Sequence, residues 1–297
     1  MKIKIFSFLL IAMLFFACGS DNTEGMDEII KLEKSLEENP DLDVANALVE
    51  EYKKVVEANP DDSEANAKYL YRAASVLYRM NRFSAAESLL KQAIKDHYSA
   101  SNTPNNALLL GAIYHDKQKN MNSAATVYQA LMQSFPEHEE VQKAKGKLDP
   151  TWRPIDERIE QLALSMFNDS TSRIEYRIAN DYINSCELYA MLLPENSNSP
   201  SYLHKAGETA RSIRTYQKAL ELYEWIGDKY SDFEKAPQSL FLRAFTLDND
   251  LKRYDEAKVL YEEFLQKYPE DDFADDTKFL LENLGKDDEE IINSFNQ

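Results

Sequence analysis

The chain has 297 residues, 52 acidic and 34 basic, for a net charge of −18. Phosphate backbones would be repelled: no run of lysine and arginine supplies the basic footprint that nucleic-acid binding needs. With 43% hydrophobic residues, only 7 glycines and 10 prolines, and no long alternation of apolar and polar residues, the chain is read as all-α with a core of its own.

The first segment has Lys2 and Lys4, an apolar run from Ile5 to Phe16, then Ala17, Cys18 and Gly19. That layout predicts a secretory signal peptide. The apolar run falls short of the roughly 20 residues that span a bilayer as a helix, so a permanent span is the weaker reading. Phe15-Phe16-Ala17-Cys18 resembles the lipobox of bacterial lipoproteins, with Phe15 where that class has leucine. The competing reading is an ordinary signal peptide with an incidental cysteine. The resemblance implies removal of residues 1–17 as a lipoprotein signal peptide, fatty acylation (palmitate-type) at Cys18, and a lipidated tether over residues 18–25. Gly19, where enteric lipoproteins retained in the inner membrane have aspartate, points to the outer membrane, with the leaflet open. Loss of Lys2 and Lys4 leaves 32 basic against 52 acidic residues, a mature charge of −20. Cys186 is then the only free thiol, and no internal disulfide forms.

Residues 26–148 show the first internal repeats. In the unit from Ala67 to Ala100, Leu70, Ala73, Ala74 and Leu77 form one apolar face. Asn81-Arg82-Phe83 forms a turn, and Ala86, Leu90 and Ala93 form a second face. These spacings predict two antiparallel helices, with small residues letting the backbones approach. The pattern returns with Leu110, Gly111, Tyr114, Ala124, Tyr128, Leu131 and Pro136, with one extra residue expected in the turn. Tyr52, Val55 and Pro60 fit the second helix of an earlier, partial unit.

Residues 149–200 break the rhythm and are expected as a divergent helical segment and linker. An amphipathic helix is predicted through Ile155, Ile159, Leu162, Leu164 and Phe167, and a second from Ile174 to Leu193. Asn196 to Pro200 is the linker candidate, able to divide the array into two lobes. Residues 201–297 resume the repeats: Gly207, Ala210, Tyr216, Ala219 and Tyr223, then Ala244, Leu247, Tyr254, Ala257, Tyr261, Phe264 and Pro269. Phe273 to Leu284 is expected as a solvating first helix, and Asp287 to Phe295 as a short capping helix. Pro60, Pro136 and Pro269 each end a helical run they cannot continue. Asp61-Asp62 and Glu270-Asp271-Asp272 place carboxylates where the next helix dipole favours them.

These units resemble the tetratricopeptide repeat, a helix-turn-helix of 34 residues with small, aromatic and proline positions at fixed offsets. The usual tryptophan is absent, and only some copies carry the glycine. The resemblance implies an all-α, helix-turn-helix repeat solenoid that holds protein partners. The stretches YDEAKVLYEEFLQKYPED and LENLGKDDEEIINSF are also similar to small repeat-bearing outer-membrane lipoproteins of the Bacteroidetes. That similarity implies an envelope location without a known activity.

No catalytic constellation stands out. The four histidines lack the i, i+4 pairing of a zinc-hydrolase helix, and no metal site is expected. Asp271, Asp272, Asp275 and Asp276 lack the glycine and terminal glutamate of a calcium loop. There is no phosphate loop or nucleophile elbow, so neither a cofactor nor an enzyme activity is expected. Cys186, Tyr128, Tyr223 and Tyr261 are expected in the core.

Tetratricopeptide grooves present the exposed side of each first helix. That places Lys68, Tyr71, Ser75, Tyr78 and Arg79 from the first full copy on a concave strip, with Asn105, His115 and Asp116 from the second and His204 and Arg211 from the third. Such a mixed polar and aromatic strip suits an extended peptide or a partner helix. The leading expectation is a membrane-anchored protein–protein interaction scaffold of the bacterial envelope, in outer-membrane protein assembly or Tol-Pal-type maintenance. Its partners are envelope proteins and, through Cys18, the membrane. The alternative is a glycan- or nutrient-binding surface lipoprotein.

Overall fold

A computed structural model of the chain describes residues 23–168 and 173–286. Cys18, the leader before it and the expected capping helix from Asp287 to Phe295 lie outside the described residues. Within them the fold is an all-α repeat solenoid. Its helices run in antiparallel pairs: α1 (Thr23–Glu38) with α2 (Leu42–Ala58), α3 (Ser63–Arg79) with α4 (Phe83–Asp96), and α5 (Thr103–Ala112) with α6 (Met121–Ser134). A short α7 (Glu139–Lys143) precedes the pair α8 (Ile155–Ser165) and α9 (Tyr176–Leu192). The pairs α10 (Ser199–Ser212) with α11 (Tyr216–Lys229) and α12 (Ala236–Phe245) with α13 (Tyr254–Lys267) follow, and α14 (Ala274–Glu282) packs on the last.

The helix ends follow from local chemistry. Asp62 caps α3, its Oδ1 accepting from Ala65 N at 3.0 Å, and Asp41 caps α2 in the same way. Pro60, Pro136 and Pro269 lie two residues beyond the ends of α2, α6 and α13, where the missing N–H costs nothing. Ala74 and Ala86 are fully buried, so α3 and α4 approach closely. Gly111 and Gly207 go further. A Cβ at 207 would lie 2.5 Å from Tyr223 Cε1, and one at 111 would lie 2.8 Å from Tyr128 Cε1, so each glycine is the seat of a phenol ring.

The turn inside four of the pairs, α3–α4, α5–α6, α10–α11 and α12–α13, carries one non-glycine residue in the left-handed region: Asn81, Lys119, Arg214 and Lys252, with φ between 56° and 62°. Seven residues separate Ala74 from Asn81 and Gly207 from Arg214, but eight separate Gly111 from Lys119 and Ala244 from Lys252. The extra residue expected in the second copy's turn is taken up before it, as a π-turn over Ile113–Gln118. The fourth copy has the same device over Thr246–Asp250. A π-turn absorbs one residue without breaking the ladder and re-aims the side chains that follow.

The divergent segment departs from expectation at its tip. Phe167 and Ile174, both expected in helices, face each other in a two-residue antiparallel ribbon, closed by Glu175 N donating to Met166 O at 2.7 Å. A β-prone pair makes this contact in place of extending either helix. Asn196 to Asn198 is a tight turn rather than a separator, and Ser199 and Pro200 already open α10. Ser199 N donates to Asn196 O at 3.0 Å, and one apolar core runs across it from Ile29 to Ala236. A smaller cluster around Phe241, Tyr261 and Phe264 closes the C-terminal end.

Candidate functional site

The halves join along their second helices. α9 packs on α6 and α10 and also touches α4, which brings Glu187 between Lys91 of α4 (3.2 Å) and Lys218 of α11 (3.0 Å). Lys91 Nζ also donates to Asn184 Oδ1 at 2.7 Å. Burial alone would raise the Glu187 carboxyl, but the two ammoniums outweigh it and hold its pKa below the usual value. Lys95 Nζ lies 4.6 Å from the ring centroid of Trp225, and Lys229 Nζ lies 6.0 Å from that of Tyr98, so α11 abuts the end of α4.

On the first helices the expected strip is partly occupied from within. Lys68 and Arg79 are exposed, while Tyr71, Ser75 and Tyr78 are half-buried. Ser75 Oγ donates back to Tyr71 O at 2.8 Å. Lys117 Nζ sits 5.2 Å from the Tyr78 ring centroid and 5.3 Å from that of Phe83. Asn105 is half-buried and donates to Asn102 Oδ1 at 3.1 Å. His115 Nδ1 lies 2.6 Å from Asp116 Oδ1, and Lys147 Nζ reaches Asp116 Oδ2 at 3.0 Å. The His115 hydrogen bond, then Lys147, hold the Asp116 carboxyl below its usual range.

His204 is corrected by the structure. It is only 1% exposed, because Phe233 and the first turn of α12 close over it, and it does not present its ring on the strip. Its Nδ1 lies 2.9 Å from Ser239 Oγ. That hydroxyl already donates to Lys235 O at 2.8 Å, so Nδ1 must be the donor to it. Nε2 is then a bare lone pair, without a hydrogen-bond partner and 3.7 Å from Glu208 Oε2. Burial, with Lys235 and Lys205 nearby, pushes the His204 pKa down to about 4. Arg211 is half-buried: its Nε donates to Asp250 Oδ2 at 2.8 Å, and its guanidinium lies 4.7 Å from the Phe245 ring centroid.

Beside Arg211 a cavity of about 330 Å³ opens, lined by Glu208, Ser212, Tyr223, Leu242 and Asp250 as well. The Tyr223 hydroxyl is buried without a hydrogen-bond partner, as is that of Tyr128. Burial, then the Glu208 charge, raise the Tyr223 pKa, so this phenol stays protonated. Tyr261, at the matching position of the fourth copy, instead donates to Asp248 Oδ2 at 3.2 Å.

Sequence reasoning named Arg211 and placed the tyrosines in the core, but it missed Glu208, Asp250, Lys147 and Glu187. Glu208 was findable as the neighbour of Gly207 on an exposed helix face. Asp250 was not, because the π-turn aims it. Cys186 is fully buried and its thiol is pushed up to about 12 by burial, which leaves it unreactive at neutral pH. Among the described residues no group of three metal-ligating side chains converges, and no helix is long and apolar enough to cross a membrane.

Residues 106–138 and 238–271 match the family model of the tetratricopeptide repeat. These are α5 with α6 and α12 with α13, one pair in each half and the two that carry π-turns. No curated protein matches the chain. Repeats of this family point to a protein–protein interaction scaffold.

Proposed function

We propose that the chain is a lipid-anchored scaffold of the bacterial envelope, of Bacteroidetes lipoprotein type, held at the outer membrane through Cys18. Its concave strip then holds a partner protein, in outer-membrane protein assembly or Tol-Pal-type maintenance. The observation that carries this reading is the repeat frame itself. Successive first helices bring Lys68, Arg79, Tyr71 and Tyr78 of α3 and Arg211 of α10 to partly or fully exposed positions. Aromatic and charged groups on a rigid frame are the kind of surface on which binding energy concentrates.

The test has two parts. A photo-cross-linking residue at Lys68 or Arg79 in intact cells should give the same defined adduct from both sites, absent when the probe sits at exposed Lys258 on α13. Adducts that do not depend on position would overturn the scaffold reading. Mass analysis of the N-terminal peptide should find acyl groups on Cys18, and Cys18→Ser should release the protein from membranes. An unmodified Cys18 would overturn the anchor and leave the scaffold intact.

A further inference from the structure

The cavity beside Tyr223 has a definite chemical polarity. Its one lining cation, Arg211, is already committed to Asp250 and to the face of Phe245. Among the described residues Glu208 has no lysine or arginine within ion-pair distance, and the His204 imidazole lies 3.7 Å from it. That ring presents a lone pair rather than a hydrogen, so two acceptors face each other 3.7 Å apart. Tyr223, whose buried hydroxyl has no hydrogen-bond partner, lines the same cavity, and His204 stands behind Glu208 rather than in the lining. An unpaired carboxylate at the cavity favours a donor-rich cation by charge, and the buried Tyr223 hydroxyl adds to it, because a buried polar group without a partner carries its desolvation cost. Lys205 and Lys235, the cations nearest His204, are exposed and do not line the cavity.

The N-terminal half holds a related arrangement in which the carboxylate is already paired and the phenol is not. Gly111 seats Tyr128 as Gly207 seats Tyr223, and the Tyr128 hydroxyl is likewise buried and unpartnered. The carboxylate nearest in influence to that phenol is Asp116, and it receives the ammonium of this chain's own Lys147 at 3.0 Å. Lys147 comes from the short turn after α7, the segment that follows α6. In the C-terminal half the segment after α11 brings Leu242 and Asp250 to the cavity and no cation.

We propose that the cavity beside Tyr223 receives the side-chain ammonium of a lysine from the partner protein, with Glu208 as counter-ion, Tyr223 beside it and His204 behind Glu208 as the reporter. This assignment rests on the scaffold reading and names the chemistry of the partner. The internal lysine paired with Asp116, the carboxylate that acts on Tyr128, favours a peptide-borne ammonium over a free amine.

The chain has four histidines, so ¹⁵N-histidine NMR of the full protein in detergent can follow His204 directly. The probe is the capped pentapeptide Ala-Ala-Lys-Ala-Ala, with its norleucine counterpart and n-butylammonium as comparisons. The lysine peptide should move the His204 Nε2 resonance saturably, and the norleucine peptide should not. Glu208→Gln, at an exposed position, should weaken the response about tenfold, the scale of one charge-assisted hydrogen bond. Tyr223→Phe should weaken it about threefold without loss of fold, since that hydroxyl has no partner to lose. A flat His204 resonance, or equal responses to lysine and norleucine, would overturn the proposal. Tighter binding of butylammonium than of the peptide would overturn the partner-lysine assignment in favour of a free amine. If the Lys68 cross-links persist while the NMR response is absent, the ammonium site alone fails; if the reverse holds, the scaffold reading fails.

Discussion

The N-terminal pairs α3 to α6 and the C-terminal pairs α10 to α13 share one packing scheme and differ in what lies over it. In each copy a small residue of the first helix, Ala74, Gly111, Gly207 or Ala244, opposes the second helix. The side chain four residues later lies one helical turn along the same face. That position is Tyr78, His115, Arg211 and Asp248 in turn, an aromatic ring, an imidazole, a cation and an anion. Their partners differ accordingly: Lys117 over Tyr78, Asp116 beside His115, Asp250 on Arg211, and the Tyr261 phenol on Asp248. The small residue fixes the geometry and the fourth residue chooses the chemistry. In the N-terminal pairs the chain's own lysines sit on these groups, and in the C-terminal pairs a cavity lies beside Arg211.

The contact that holds the two halves together carries the largest expected effect. Glu187→Ala removes the largely buried carboxylate shared by Lys91 and Lys218, which keep Glu87 and Glu221 respectively, and loss of such a partner costs up to about 3–5 kcal/mol. Urea unfolding should show that loss, with the fluorescence of Trp225 and Trp152 reporting the two sides. A loss under about 1 kcal/mol would mean that both lysines relax into solvent and that the halves are held by apolar contacts alone.

His204 gives the next effect, and it belongs to the C-terminal half. Its folded pKa of about 4 lies below the ordinary value of about 6.5. The unfolded chain therefore binds the proton more readily, and the contribution of His204 to stability is complete above about pH 6.5. It is lost as pH falls toward 4, by about 3 kcal/mol in all. His204→Asn keeps a donor toward Ser239 and removes the titration. Stability of the variant should fall less steeply over that window, and parallel curves would assign the acid sensitivity to carboxylates.

Gly207→Ala and Gly111→Ala compare the two phenol seats directly. Each forces a ring to shift, at about 1–3 kcal/mol, and 207 should cost more because its clash is the shorter. Equal losses would mean that the cavity beside Tyr223 gives that ring room to move.

Much of this frame was legible in the sequence, because repetition makes packing visible. The recurring tyrosines at 128, 223 and 261 are all within 1% of full burial, and the prolines mark helix ends as their missing N–H requires. The candidate site was less legible. A helical face predicts which side His204 lies on, but not that the following helix closes over it. Nor does periodicity anticipate a π-turn, which displaces Asp250 and Lys117 relative to any regular helix. The crossing of α9 onto α4 depends on contacts between residues more than ninety positions apart, as from Lys91 to Glu187, and no local pattern encodes it.

The smallest effect on stability is the sharpest test of the comparison. Lys147 and Asp116 are each more than 40% exposed, so Lys147→Ala should change stability by less than about 1 kcal/mol. Its consequence is chemical. Without that ammonium, Asp116 loses one of the groups that depress its pKa and keeps its hydrogen bond to His115, so the carboxylate that acts on Tyr128 comes closer to the state of Glu208. The N-terminal groove of the variant should then answer the lysine pentapeptide through a shift of the His115 resonance that the parent chain lacks. If it does, a phenol seated on a glycine with a carboxylate above it suffices to take up a lysine, and the halves differ only in where that lysine comes from. If His115 stays silent, the His204 lone pair is the part of the C-terminal site that the N-terminal half lacks.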